Sequence, residues 1–225
     1  MEIVDQKSRI EKIGDTGYEF HFEQYLSQGW DLFRKAPMQL VLYTLIVLGV
    51  SIVIGLIPIV GTIGGVIVGP VLMAGYYIGI KKLDETNAVE IGDFFKSFDY
   101  WLQLFLYELV SGLLVGLAFL LLVLPGIWLV VALSFGSAFI VFAKFEFWDS
   151  IKTSAEIVNK KWFSFFGLII VLGFINLVGA LFLGLGLFIT IPFTYGVIYS
   201  CYKDIVGFGA TQERDVIDHL VDDKF

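Results

Sequence analysis

The residues able to do chemistry in this chain are few, and the informative ones sit inside apolar runs. Glu108 is the single Asp, Glu, Lys or Arg within any of the long apolar stretches. A charge at bilayer depth costs at least ~2.5 kcal/mol on insertion scales, so an intramembrane carboxylate is a functional candidate by default. It lies two helical turns from the polar end of its stretch, beside Gln103, Tyr107 and Ser111. Hydrogen bonding to a neighbouring helix is the competing, purely structural reading. Pro70 and Pro192 come next. Each removes a backbone donor and frees a carbonyl one turn back, which in lipid must be satisfied by protein or water. Interruptions at corresponding places in repeated halves point to a transporter's binding site, whereas kinks made for packing would look the same. Asn176, in mid-stretch, suits an interhelical hydrogen bond.

Nothing resembles a catalytic constellation. His21 and His219 lie in terminal segments, and no Ser-His arrangement or metal-ligand spacing accompanies them. Cys201, the one cysteine, excludes an intramolecular disulfide and reads as a small apolar filler. The expectation is a protein that is not an enzyme, with no metal and no cofactor.

The elements that must position these residues are apolar helices. Residues 101–124 and 126–143 form two runs separated by the uncharged Leu124-Pro125-Gly126. Each is about long enough to cross a ~30 Å hydrocarbon core. Together they read as a transmembrane hairpin, with similar hairpins on either side at residues 38–57 and 62–80 and at 162–183 and 185–202. The expected fold is all-α: six transmembrane helices in three hairpin repeats. Three amphipathic helices are expected along one membrane surface, at residues 20–35, near 93–98 and at 144–161. The first has Phe22, Leu26, Trp30 and Phe33 at helical spacing. Trp30, Trp101, Trp148 and Trp162, with Tyr77 and Tyr199, suit an interfacial belt. Glycines at 61, 65 and 69, at 75 and 79, and at 112 and 116 suggest faces for close helix packing. Three regions result: a polar segment 1–19, a membrane domain 20–207 and an acidic tail 208–225.

Composition agrees. Hydrophobic residues make up 57% of the 225 and charged residues 16%, with a mean hydropathy of +0.83. Soluble domains carry roughly 25% charged residues. The net charge of −7 argues against nucleic acid as a partner. The partners expected are the lipid bilayer and other membrane proteins or a second copy of the chain. Residues 1–19 lack the apolar core of a signal peptide. All fifteen Lys and Arg fall in the two termini and in the linkers after the second and fourth runs; the other three turns hold none. By the positive-inside rule both termini are cytoplasmic.

The hairpins also repeat. Pro70-Val71 through Tyr77 and Lys81 aligns with Pro192-Phe193 through Tyr199 and Lys203 at a constant offset of 122. Pro125, Gly136 and Lys144 precede Gly184, Tyr195 and Lys203 by 59. Two spans per unit make such repeats parallel, related by an axis along the membrane normal.

With this pattern in view the chain resembles a bacterial family of six-span inner-membrane proteins, mostly of unknown function, that includes the membrane part of certain glycerophosphodiester phosphodiesterases. The residues that carry the likeness are Gly29-Trp30-Asp31-Leu32-Phe33-Arg34-Lys35, Gly92-Asp93-Phe94-Phe95-Lys96-Ser97-Phe98, Leu124-Pro125-Gly126-Ile127-Trp128 and Ser150-Ile151-Lys152-Thr153-Ser154. The resemblance implies a bacterial inner-membrane location. It does not bring the phosphodiesterase activity, whose catalytic barrel needs ~200 residues or more of its own.

The leading functional expectation is a non-enzymatic scaffold or accessory factor at the cytoplasmic face, in lipid or envelope maintenance. The alternative is a small transporter or lipid-translocating protein with a cavity near Pro70, Pro192, Asn176 and Glu108. A polar cavity open to one side would favour the second, and a dry, close-packed bundle the first.

Overall fold

The computed structural model describes Ile10, Ile13, residues 16–182 and residues 184–208, with the side chains of 58–60, 62 and 63 excepted. The expected polar segment 1–19 lies mostly outside these residues, and the acidic tail, with His219, almost wholly so. Among the described residues the fold is all-helical. The order is α1 (Phe22–Lys35), α2 (Pro37–Gly55), α3 (Pro58–Thr86), α4 (Ile91–Phe94), a 3-10 turn (Phe95–Tyr100), α5 (Trp101–Leu121), α6 (Val123–Ala132), α7 (Gly136–Ala143), α8 (Phe147–Lys160), α9 (Trp162–Leu181) and α10 (Leu187–Ile205).

Five segments are long and apolar enough to cross a membrane: Pro37–Gly55, Gly64–Thr86, Ile91–Leu121, Val123–Ala143 and Trp162–Leu181. The chain is thus built as a multi-pass membrane protein. Its outward surface fits that solvent, since Leu120, Leu124 and Phe163 are each about four-fifths exposed. A soluble protein would not tolerate so much contiguous apolar surface. Helix α10 is not among the five. It is 19 residues long, but Thr190, Thr194, Tyr195, Tyr199, Ser200 and Tyr202 dilute its apolar character, and it ends in Lys203-Asp204.

Several boundaries differ from the sequence reading, each for a local reason. The second run does not stop at Lys81-Lys82 but continues to Thr86, because lysine is a good helix former; Asn87, in the left-handed region at φ 54°, then closes it. The central turn falls at Leu122, whose extended backbone separates α5 from α6, and not at Leu124-Pro125-Gly126. Pro125 sits in the first turn of α6, where its missing amide would have no helical partner anyway. The fourth run is not one helix. It breaks at Leu133-Ser134-Phe135, dividing α6 from α7.

Helix α1 packs along α10, as Gly29 and Gly196 bring the two backbones together: a Cβ on Gly196 would lie 3.1 Å from the Gly29 carbonyl oxygen. The buried residues of α1 are Tyr25, Gly29, Leu32 and Phe33, a stripe rotated from the expected Phe22-Leu26-Trp30-Phe33; Trp30 is exposed. Of the glycine faces, Gly75 and Gly79 do permit close packing, against Tyr43 and Phe94. Gly65, Gly69, Gly112 and Gly116 do not, since nothing lies within 4 Å of where a Cβ would be.

Candidate functional site: a cleft beside the broken helix

The break between α6 and α7 exposes backbone groups that in an apolar surrounding need partners. They get them from side chains on two other helices. Tyr107 of α5 donates its hydroxyl to the Leu133 carbonyl. Ser154 of α8 donates to the Ala132 carbonyl at 2.8 Å and accepts from the Phe135 amide at 3.1 Å. Both side chains are buried, and Gly136 lets the Tyr107 ring in, because a Cβ there would collide with it. These three residues pack around the break and satisfy its backbone groups.

Beside the break lies a cleft of about 420 Å³ between α3, α5, α7 and α10. Its wall is Gly65, Val66, Gly69, Pro70, Met73, Ala74, Tyr77, Glu108, Ser137 and Tyr195. That size is within the usual range for small-molecule sites, roughly 300–1,000 Å³. Gly65 and Gly69 leave the wall bare, and Pro70 lacks the amide that would otherwise bond the Val66 carbonyl.

Among the described residues, the Tyr77 and Tyr195 hydroxyls, the Ser137 hydroxyl and the Glu108 carboxylate have no hydrogen-bond or ion-pair partner in the protein. Elsewhere, Tyr43 donates to the Leu72 carbonyl at 2.6 Å and Tyr76 to Thr44 Oγ1 at 2.7 Å, whereas the buried Tyr202 hydroxyl is also without a partner. Of the four, Tyr77 is buried, Ser137 and Tyr195 are half-buried and Glu108 is exposed, so these are groups that a molecule seated in the cleft can reach. Tyr77 is only 3% exposed, and its ring meets that of Tyr195 edge-on at 4.9 Å.

Of the residues singled out in the sequence, Pro70, Tyr77 and Glu108 meet at this cleft. The others do not. Pro192 is buried in α10 and forms no part of the wall. Asn176 donates to Thr194 Oγ1 at 2.7 Å and to the Leu172 carbonyl at 2.9 Å, which ties α9 to α10. Gln103 accepts the Phe147 amide at 2.9 Å and so anchors the first turn of α8. Tyr199 donates to Asp84 at 2.9 Å, at the charged end of the molecule. Trp30, Trp101 and Trp148 are exposed, and Trp162 bonds the Trp128 carbonyl at 3.3 Å. Ser137 and Tyr195 had no sequence signal beyond being polar residues in apolar runs.

A second cleft, of about 440 Å³, opens among Gln24, Gln28, Asp31, Lys35, Asp84, Lys203 and their neighbours. It is slightly larger, but its central charges are already matched. Asp84 holds Lys203 at 2.6 Å and Lys35 at 3.7 Å, and Asp204 accepts from Tyr25 at 2.6 Å and pairs with His21 at 2.9 Å. It is a groove between helix ends whose central acidic groups are already paired within the protein. Among the described residues no group of three or more His, Cys, Asp or Glu could hold a metal ion.

No family model matches this chain, and neither a curated protein nor a solved structure does. The functional reading therefore rests on the cleft.

Proposed function

We propose that this is a six-span bacterial inner-membrane protein, with α10 as the sixth span and both termini cytoplasmic, that binds a small amphipathic solute or lipid in the Glu108 cleft and moves it through the membrane. The observation that carries the reading is the set of four polar groups, without partners in the protein, on the wall of one cleft between apolar helices. The register of the hairpins supports it. Leu133, where the helix breaks, precedes Pro192 by 59 residues, the offset found between the central and last hairpins, and Pro70 precedes Pro192 by 122. All three units thus carry an interruption at one place, the arrangement from which transporter sites are built.

The scaffold reading receives less support. It would offer the apolar faces of the interfacial helices to partners, yet Tyr25, Gly29, Leu32 and Phe33 of α1, and Ile151, Ser154, Ile157 and Val158 of α8, are buried within the molecule.

A translocating cleft must be reached from both sides of the membrane in turn. In a background with Cys201 replaced, Ser137→Cys should react with a membrane-impermeant thiol reagent in right-side-out and in inverted vesicles alike. Gly69→Leu, which places a side chain in the open cleft, should slow both reactions. Reaction from one side alone, or from neither, contradicts translocation.

A further inference from the structure

The wall of the cleft is rich in acceptors and has no cation. Glu108 supplies a carboxylate, Val66 a carbonyl left without its helical donor by Pro70, and Ser137, Tyr77 and Tyr195 hydroxyl oxygens. Neither Lys nor Arg lines it. The rings of Tyr77 and Tyr195, 4.9 Å apart and edge-on at 72°, add faces that attract positive charge. The remaining wall is apolar: Met73, Ala74, Val66 and the two bare glycines. From this we propose that the ligand of the cleft is an amphipathic amine, whose ammonium group donates to Glu108 and the neighbouring acceptors while its hydrocarbon part lies along α3. The inference rests on the binding reading above and names the chemistry of its solute.

Three charge states were possible in principle, and the wall separates them. An anion would face Glu108 with no counter-charge, a strongly unfavourable meeting at low dielectric. A neutral alcohol could bond the hydroxyls and donate to the carboxylate, but would leave its charge uncompensated. An ammonium group satisfies the carboxylate and has N–H donors to spare for the carbonyl and hydroxyl oxygens. Such an amine could be a free solute or the headgroup of an ethanolamine phospholipid, which presents the same primary ammonium.

The probes are dansylcadaverine, a primary amine on a fluorescent apolar body, and its analogue with a terminal hydroxyl in place of the amine. Binding is followed by fluorescence with the protein in phosphatidylcholine nanodiscs. The amine should bind wild type at least about tenfold more tightly than the alcohol, the weight of one charge-assisted bond. Glu108→Gln should abolish that preference, bringing amine affinity down to that of the alcohol. Equal binding of both probes to wild type overturns the amine inference and leaves the cleft as a binding site. Binding of neither probe, or binding that Gly69→Leu does not weaken, overturns the cleft itself. Replacing half the lipid by phosphatidylethanolamine distinguishes the sources: displacement of the probe identifies a lipid headgroup as the amine, and retention identifies a free solute.

Discussion

The geometry at the broken helix makes a prediction that can be weighed in advance. Ser154 and Ser150 lie one turn apart on α8, and both are fully buried. They differ in what their hydroxyls do. Ser154 satisfies two backbone groups of the interruption, the Ala132 carbonyl and the Phe135 amide, whereas Ser150 Oγ has no partner. Replacing either with Ala removes one oxygen of the same size from a buried place. In Ser154→Ala, two buried backbone groups are orphaned at about 1–3 kcal/mol each. Measured side-chain bonds in membranes average only ~0.6 kcal/mol, because the reference state finds other partners. Here the break leaves no helical partner to fall back on, so the loss should come to about 2 kcal/mol. Ser150→Ala removes only an unsatisfied hydroxyl and should be neutral or slightly stabilising. Reversible unfolding in bicelles, with both variants beside wild type, measures the difference. If Ser154→Ala is no less stable than Ser150→Ala, the two hydrogen bonds do not hold the interruption.

Four further outcomes are expected. Gly136→Ala drives a methyl group into the Tyr107 ring and should cost about 1–3 kcal/mol by overpacking. At Gly69 an added Cβ meets nothing within 4 Å and opens onto the cleft, and Gly69→Leu exchanges a poor helix former for a good one, so its thermal midpoint should match or exceed wild type even though the cleft is filled. His21 is held in its charged form chiefly by hydrogen bonding to Asp204, with Glu19 beside it, so its pKa lies above the usual 6.5. The stabilisation it gives is therefore complete below pH 6.5 and is lost as pH rises through the raised value; NMR titration should show that value fall towards 6.5 in Asp204→Asn. Finally, cysteines at Asn87 and Leu122, with Cys201 replaced, should lie on opposite sides: an impermeant reagent on intact cells should label 122 and not 87, and the reverse would invert the orientation.

The sequence disclosed the solvent of this chain and the main places where polarity enters its apolar runs. Length and hydropathy sufficed for the membrane helices, since backbone groups in lipid must be bonded within the segment. Glu108 and Pro70 were legible for the same reason: each violates the pattern around it. The break at Leu133–Phe135 was not. No proline or glycine lies within it, and the groups that stabilise it, Tyr107 and Ser154, come from helices on either side of it in the chain. A conformation held by distant partners leaves little local trace. Glycine spacing failed differently. It marks where a backbone is bare, but not whether a helix or an open cleft lies opposite, and Gly65 and Gly69 face the second. The amphipathic stripe of α1 was misplaced by a fraction of a turn, because a glycine counts as nothing in a hydrophobic pattern while Gly29 is the point of closest approach to α10.

The most direct test is an experimental structure of the protein in lipid nanodiscs made with native lipid extract. The account predicts non-protein density in the cleft, within hydrogen-bonding distance of Glu108 and at least one of Tyr77, Ser137 and Tyr195. A cleft closed by its own side chains, with Glu108 bonded to a neighbouring helix, would contradict it.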